Sequence, residues 1–389
     1  MHQQTAAEPS WKESFLLAPE WAFLNHGSFG ATPRPVFAAY QAWQHELERQ
    51  PVEFLGRRFA WLMAEARGAL ASYVGARAQD VAFVPNATTA LNIVARSLEL
   101  RPGDEILTTD HEYGAMDRMW RSVCSRTGAV YRPVPVPLPV TTAGDLAGRL
   151  WSAVTPRTRV LFISHITSPT ALTFPVADLC RRARKAGILS VVDGAHALGH
   201  IPLDLEALGA DFYVANAHKW LCAPKGSAFL HARAECQPMI APLVVSWGTE
   251  GFAPTGSLFL DDLQWTGTHD IAAFLAVPAA IRFWEGRRGE EGRACCRALA
   301  FEARAAVGAI TGLPQICPDS SGWFAQMFAL PLPACDGAAL QAQLRDDYLV
   351  EAPVMIWKGS PYLRISIQVY NTPDDITRLC NALRKILAK

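Results

Sequence analysis

The chain has 389 residues, with 36 Lys+Arg against 36 Asp+Glu; half of it is hydrophobic and 19% is charged. At about 150 residues per domain that length predicts two to three domains with ample material for a large core. The zero formal charge argues against a nucleic-acid groove or a membrane-surface role, which rest on clustered positive charge, and no apolar run approaches the ~20 residues that span a bilayer.

Met1 to Glu13 is polar and mixed, without the basic-then-apolar order of a secretory leader. The segment Arg34–Arg49 places Val36, Tyr40, Trp43 and Leu47 at helical spacing. Short strand-like runs follow at Val81–Val84, Glu105–Thr108, Val160–Ser164, Leu189–Val192, Asp211–Ala215 and Ala228–His231. Helical patterns lie between them at Ala90–Leu98, Val176–Lys185 and Leu203–Leu208. This alternation predicts an α/β fold with a mostly parallel sheet flanked by helices. The Pro-rich stretch Arg132–Pro139 reads as a connector. After about Gly267 the texture changes: a long helical stretch Ile271–Ile310, a strand at Met327–Leu332, a helix at Gly337–Asp347, a strand at Tyr362–Val369 and a closing helix from Pro373. The expected division is a segment 1–30 that joins the small domain, a large domain 31–270, and a smaller α+β domain 271–389. Nine cysteines without CxxC spacing suit free thiols in a reducing cytoplasm, and no metal site is expected.

In such sheets ligands sit at the carboxyl ends of the strands. The strand in DFYVANAHKWLCAPK (Asp211–Lys225) ends by presenting His218 and Lys219; the strand before it ends in Asp193, followed by Gly194-Ala195-His196. A carboxylate and an amine on successive strand ends face one crevice, or else pair as a salt bridge at the sheet edge. After Val81–Val84 comes Pro85-Asn86-Ala87-Thr88-Thr89, small and hydroxylic residues at a helix start. They serve either as an N-cap or as a cradle whose free N–H groups hold an anion. An anion cradle, an Asp and a Lys together are what pyridoxal 5'-phosphate (PLP) requires: an anchored phosphate, a carboxylate on the ring nitrogen and an amine for the aldehyde.

The chain resembles the aminotransferase class V branch of fold-type I PLP enzymes, and within it the isopenicillin N epimerase-like group. The resemblance rests on LNHGSFGATP (Leu24–Pro33), PVEFLGRR (Pro51–Arg58), NATTALN (Asn86–Asn92), DHEYGA (Asp110–Ala115), HITSPTAL (His165–Leu172), VDGAHALG (Val192–Gly199), NAHKWL (Asn216–Leu221), QWTGTHD (Gln264–Asp270) and RISIQVYN (Arg364–Asn371). It implies that Lys219 holds the cofactor aldehyde and moves the substrate α-proton, that Asp193 pairs with the ring nitrogen, and that His196 contacts the ring's phenolic oxygen. It assigns the phosphate to Ala87, Thr88 and His218, places Ser168 near the ring or substrate, and gives the substrate α-carboxylate to Arg364, whose fork suits it. Gly267 and Thr268 would reach the phosphate of the partner subunit in a homodimer. His111 is expected to stack on the ring face, with Tyr113 the alternative or an acid toward a leaving group. Asn25 and His26 open the substrate side, or are structural.

Two departures bear on the reaction. The group's usual GTRD is here Gly267-Thr268-His269-Asp270, without the arginine that would hold a distal carboxylate. No cysteine lies in Val350–Tyr362, where related desulfurases carry theirs, and Cys317 and Cys335 read as buried thiols. Desulfurase activity is disfavoured. The expected enzyme removes the α-proton of a small-molecule amino-acid substrate and epimerises it; the alternative is a C–S β-lyase acting on an S-substituted cysteine or its sulfoxide, ahead of an aminotransferase. A silent cofactor-fold protein would have no need of Asp193, Lys219 and Arg364 together.

Overall fold

A computed structural model describes residues 10–249, 251, 255–286 and 289–387. Most of the polar stretch Met1 to Glu13, and with it the start of the expected segment 1–30, therefore lies outside the described residues.

The strands of the large sheet are β1 (Val81–Val84), β2 (Glu105–Thr109), β3 (Val130–Val134), β4 (Thr158–Ser164), β5 (Leu189–Asp193), β6 (Phe212–Asn216) and β7 (Ala228–Ala232). They lie in the order β1-β7-β6-β5-β4-β2-β3. Every neighbouring pair is parallel except those that β7 makes with β1 and β6. Alternate residues feed two apolar layers: Leu161 and Ile163 pack on one face, Val160 and Phe162 on the other. Burial on both faces explains why these strands read as continuous apolar runs. β3 was not legible as a strand, because it sits at the sheet edge, is part-exposed and contains Pro133. The expected connector Arg132–Pro139 therefore begins inside an edge strand.

The helices Arg34–Arg49 and Val176–Lys185 form as expected. The helix after β1 starts earlier, at Ala87, because the Asn86 side chain accepts the Thr89 N–H and caps it. The long stretch Ile271–Ile310 is instead three helices, Ala272–Leu275, Val277–Gly286 and Gly289–Thr311. Pro278 accounts for the first interruption, since it fits the first turn of a helix and not its interior.

A second sheet is antiparallel, with β8 (Met327–Pro331), β9 (Val354–Trp357) and β10 (Ser360–Ser366) in the order β9-β10-β8. The N-terminal run joins this part of the chain: Ala22–Phe23 pairs in parallel with Val350–Glu351, and Asn25 bridges to Ser366. The run thus delivers Ser28 and Phe29 to the carboxyl ends of the large sheet, where β4, β5 and β6 finish side by side at Ser164, Asp193 and Asn216.

Candidate active site

A cavity of ≈ 210 Å³ opens at these strand ends; its lining includes Thr88, Tyr113, Ser168, Asp193, His196 and Lys219. Each comes from the turn or helix start that follows a different strand, or from the same turn one or two residues on, which is why residues scattered through the sequence meet here.

Lys219 lies in the turn after β6 with its Nζ 3.2 Å from His196 Nε2. Burial and the charge of Arg364 push its amine down to about 7, against the pull of Asp193. His196 accepts the indole N–H of Trp220 on Nδ1 (3.3 Å), and burial holds it well below the usual histidine value. A neutral imidazole accepting on Nδ1 carries its proton on Nε2, so the ring donates to the Lys219 amine. His200, four residues beyond His196, is engaged elsewhere: Nδ1 donates to His196 O (2.9 Å), Nε2 accepts from Gln326 N (2.8 Å), and the ring stacks on Trp220.

Asp193 accepts one bond, from Ala195 N (2.9 Å), and burial raises its proton affinity. A second buried carboxyl lies nearby. Glu112 accepts the hydroxyl of Thr109 (2.7 Å) and both the N–H and hydroxyl of Ser164 (2.9 and 2.5 Å). Burial nevertheless pushes it up to about 7, with Asp193 adding to the rise. Glu112 was quoted in the sequence only as part of DHEYGA; a carboxylate in a turn gives no signal of burial.

At the helix start after β1, the N–H groups of Ala87 and Thr89 go to the side chains of Asn216 (2.9 Å) and Asn86 (2.8 Å), while Thr88 lines the cavity between them. His218 also lines it and donates from Nδ1 to Ser227 O (3.1 Å); burial takes it down to about 4, so it is neutral. Opposite, Arg364 is buried, donating to Ser168 O (2.8 Å), Ser168 Oγ (3.2 Å) and Ser28 Oγ (3.0 Å). Its Nε has no partner, and desolvation draws the guanidinium down to about 10. No carboxylate pairs with it among the described residues, which leaves a buried cation suited to an anionic ligand.

Five expected site residues lie elsewhere. His111 is fully buried, with its nitrogens on Thr170 Oγ1 and Val136 O (both 2.8 Å) and its ring 4.3 Å from Trp357. It does not line the cavity; Tyr113, 49% exposed, does. The turn after β2 turns the imidazole inward and the phenol outward. His26 bridges Tyr370 Oη (2.9 Å) and the backbone carbonyl of Lys219 (3.0 Å), and Asn25 holds Ser28 Oγ (2.6 Å) and Glu351 (2.9 Å). Both support residues that line the cavity without lining it themselves. Thr268 is exposed on a loop in which His269 donates to Gly267 O (2.7 Å), apart from this chain's own cavity. Cys317 is buried but Cys335 is exposed, against the expectation that both are buried.

Residues 30–379 match the aminotransferase class-V family. The chain is 38% identical to an isopenicillin N epimerase of Amycolatopsis lactamdurans, over 96% of this chain and 97% of that protein. It is 36% identical to the isopenicillin N epimerase of Streptomyces clavuligerus, over 97% and 98%.

The chain belongs to the aminotransferase class-V family.

A probable L-cysteine desulfhydrase of Arabidopsis thaliana is 30% identical over 95% of this chain and 83% of its own length. Among solved structures, the C-DES protein with glycine covalently linked to its PLP cofactor superposes with a TM-score of 0.82 at 23% identity, covering 94% of this chain and 97% of that one. These structures share the fold-type I architecture, and the family is PLP-dependent. The donor set here fits that cofactor: an amine whose proton affinity burial lowers to about 7, a buried carboxyl one strand away, a helix start that presents the Thr88 hydroxyl for a phosphate, and a guanidinium with no carboxylate partner among the described residues. Among the described residues no helix is long and apolar enough to cross a membrane.

Proposed function

We propose that this enzyme removes the α-proton of an amino acid bound through its amine to PLP and returns it in the opposite configuration, as an isopenicillin N epimerase-like epimerase. The observation that carries the reading is the Lys219 amine, held near neutrality beside His196 and facing a cavity whose wall residues Ser168 and Ser28 bond to Arg364. Lys219 binds the aldehyde and, when displaced by substrate, has the lone pair to take the α-proton. Bound PLP supplies an electron sink for the pair left on Cα. Asp193 holds the proton on the ring nitrogen; Thr88 and His218 seat the phosphate at the helix start that Ala87 lines; His196 orients the Lys219 amine; Arg364, with Ser168 and Ser28, takes the α-carboxylate. Tyr113, rather than His111, is the group at the ring face, because it lines the cavity and His111 does not. Its hydroxyl is placed to return a proton.

Two surface features support a homodimer whose Gly267–Thr268 loop reaches the partner's phosphate: Thr268 is exposed, and so are Val244, Val245 and Trp247. The cysteines, all unpaired, support a cytoplasmic setting. The second reading, a C–S β-lyase on an S-substituted cysteine, is favoured by one observation. Among the described residues no arginine lines the cavity and Arg364 is the one bonded to its wall, and His269 stands where the group has arginine, so a distal substrate carboxylate finds no second guanidinium in this chain. In that reading the Cα pair expels the sulfur, and Tyr113 protonates the departing thiolate.

Product analysis in heavy water decides between them, with S-substituted cysteines, their sulfoxides and amino acids with long acidic side chains as the panel. Recovered amino acid with one α-deuterium and inverted configuration is expected. Pyruvate with a released thiol or sulfenate establishes the lyase instead, and a new amine on an added keto acid would establish transamination.

A further inference from the structure

The hairpin of β9 and β10 turns on Lys358 and Gly359, both with positive φ (+49° and +79°). This is the two-residue geometry that matches strand twist and rigidly fixes register. A lysine is an uncommon occupant of the left-handed region, and such a residue persists where its surroundings hold it. Here the surroundings are the turn after β2. Lys358 pairs with the Asp110 carboxylate and lies 4.5 Å from the Trp357 ring. The Trp357 indole N–H donates to the backbone carbonyl of Asp110 (2.9 Å), and its ring packs 4.3 Å from that of His111. Asp110 is fixed in turn, its carboxylate accepting Val136 N (3.0 Å).

One end of this contact leads into the cavity and the other to the arginine bonded to its wall. Three residues beyond Asp110 is Tyr113; on β10, seven residues beyond Trp357, is Arg364. We infer that Trp357 and Lys358 form a strap that sets Arg364 against the Asp110–Tyr113 turn, making them positioning residues for recognition of the substrate α-carboxylate. The inference rests on the reading of Arg364 as the carboxylate clamp. It accounts for the burial of His111, whose ring serves as the packing surface for Trp357 rather than as a face for the cofactor.

The test uses the PLP-loaded enzyme and two nucleophilic probes that attack any cofactor held by a lysine: aminooxyacetate, which carries a carboxylate, and O-methylhydroxylamine, which does not. The ratio of their second-order rates, followed by loss of the cofactor's visible band, measures carboxylate recognition without knowledge of the natural substrate. Arg364→Gln is expected to bring the ratio close to that in free solution. Trp357→Phe keeps the ring but removes the N–H donor, and is expected to lower the ratio about fivefold, as for a charged contact loosened rather than lost, with cofactor content and melting temperature unchanged. Trp357→Ala should lower it further, and Lys358→Arg should retain it. If Arg364→Gln lowers the ratio while Trp357→Phe and Trp357→Ala leave it at the wild-type value, the strap is refuted and the clamp stands. If Arg364→Gln leaves the ratio intact, the clamp is refuted and the strap falls with it. Loss of the O-methylhydroxylamine rate in step with the aminooxyacetate rate would show a structural contact only, and would also refute the strap.

Discussion

Lys219 and Glu112 have opposite pH signatures although both are displaced toward neutrality by burial. The Lys219 amine falls from 10.5 to about 7, so between those values the unfolded chain binds more protons than the folded one. The stability cost is full below about pH 7 and fades as pH rises toward 10.5. The cofactor-free protein should therefore gain stability on that side relative to Lys219→Met, in which the gain disappears; parallel melting curves for the two would show that the amine is solvated and unshifted. Glu112 rises from 4.5 to about 7, so the folded chain binds the extra proton. Its contribution is lost as pH climbs through that window. Glu112→Gln should flatten the decline in melting temperature between about pH 4.5 and 7, and an equally steep decline would exclude Glu112 as its source.

The LNHGSFG segment works as an element because Gly30 has φ +70° and a Cβ there would meet the His218 carbonyl at 2.0 Å. Gly30→Ala should cost more than ~1 kcal/mol in urea unfolding, from both the left-handed backbone and the clash, and should weaken PLP retention because His218 and Lys219 must shift. A variant with unchanged midpoint and cofactor content would mean that the segment has another place to sit. The strands β1, β2 and β4 to β7 could be read along the sequence because apolar runs buried on both faces leave no polar alternation to confuse them. Lys219, Asp193, His196 and Thr88 were legible through their place at those strands' ends, where the fold rule directs attention. The facing of a turn residue follows no such rule. Whether His111 or Tyr113 enters the cavity depends on what packs beneath the turn, and that is Trp357, almost 250 residues further on. β9, which carries Trp357, is short and half-exposed, so neither partner of the contact could be located from its own neighbourhood.

For the whole molecule, the exposed side chains Leu243 (41%), Val244 (51%), Val245 (78%) and Trp247 (66%) lie on one short segment. A monomer rarely leaves so much apolar surface in water. Val245→Asp is expected to convert a dimer to monomers in sedimentation and to lower PLP retention with it. A wild-type chain that sediments as a monomer at micromolar concentration would remove the support for a shared site. The pairing of Ala22 with Val350, and of His26 with Tyr370 beneath Lys219, also orders events during synthesis. A ribosome delivers the large sheet, the lysine and its carboxyl partner before the strand and tyrosine that anchor the N-terminal run. Until Tyr370 has cleared the exit tunnel, His26 and the strand Ala22–Phe23 lack their partners in the small sheet region, and Ser28 and Phe29 are not fixed at the cavity. Completion of the cofactor site thus waits on synthesis of Tyr370, and the segment around His26 must stay available until then.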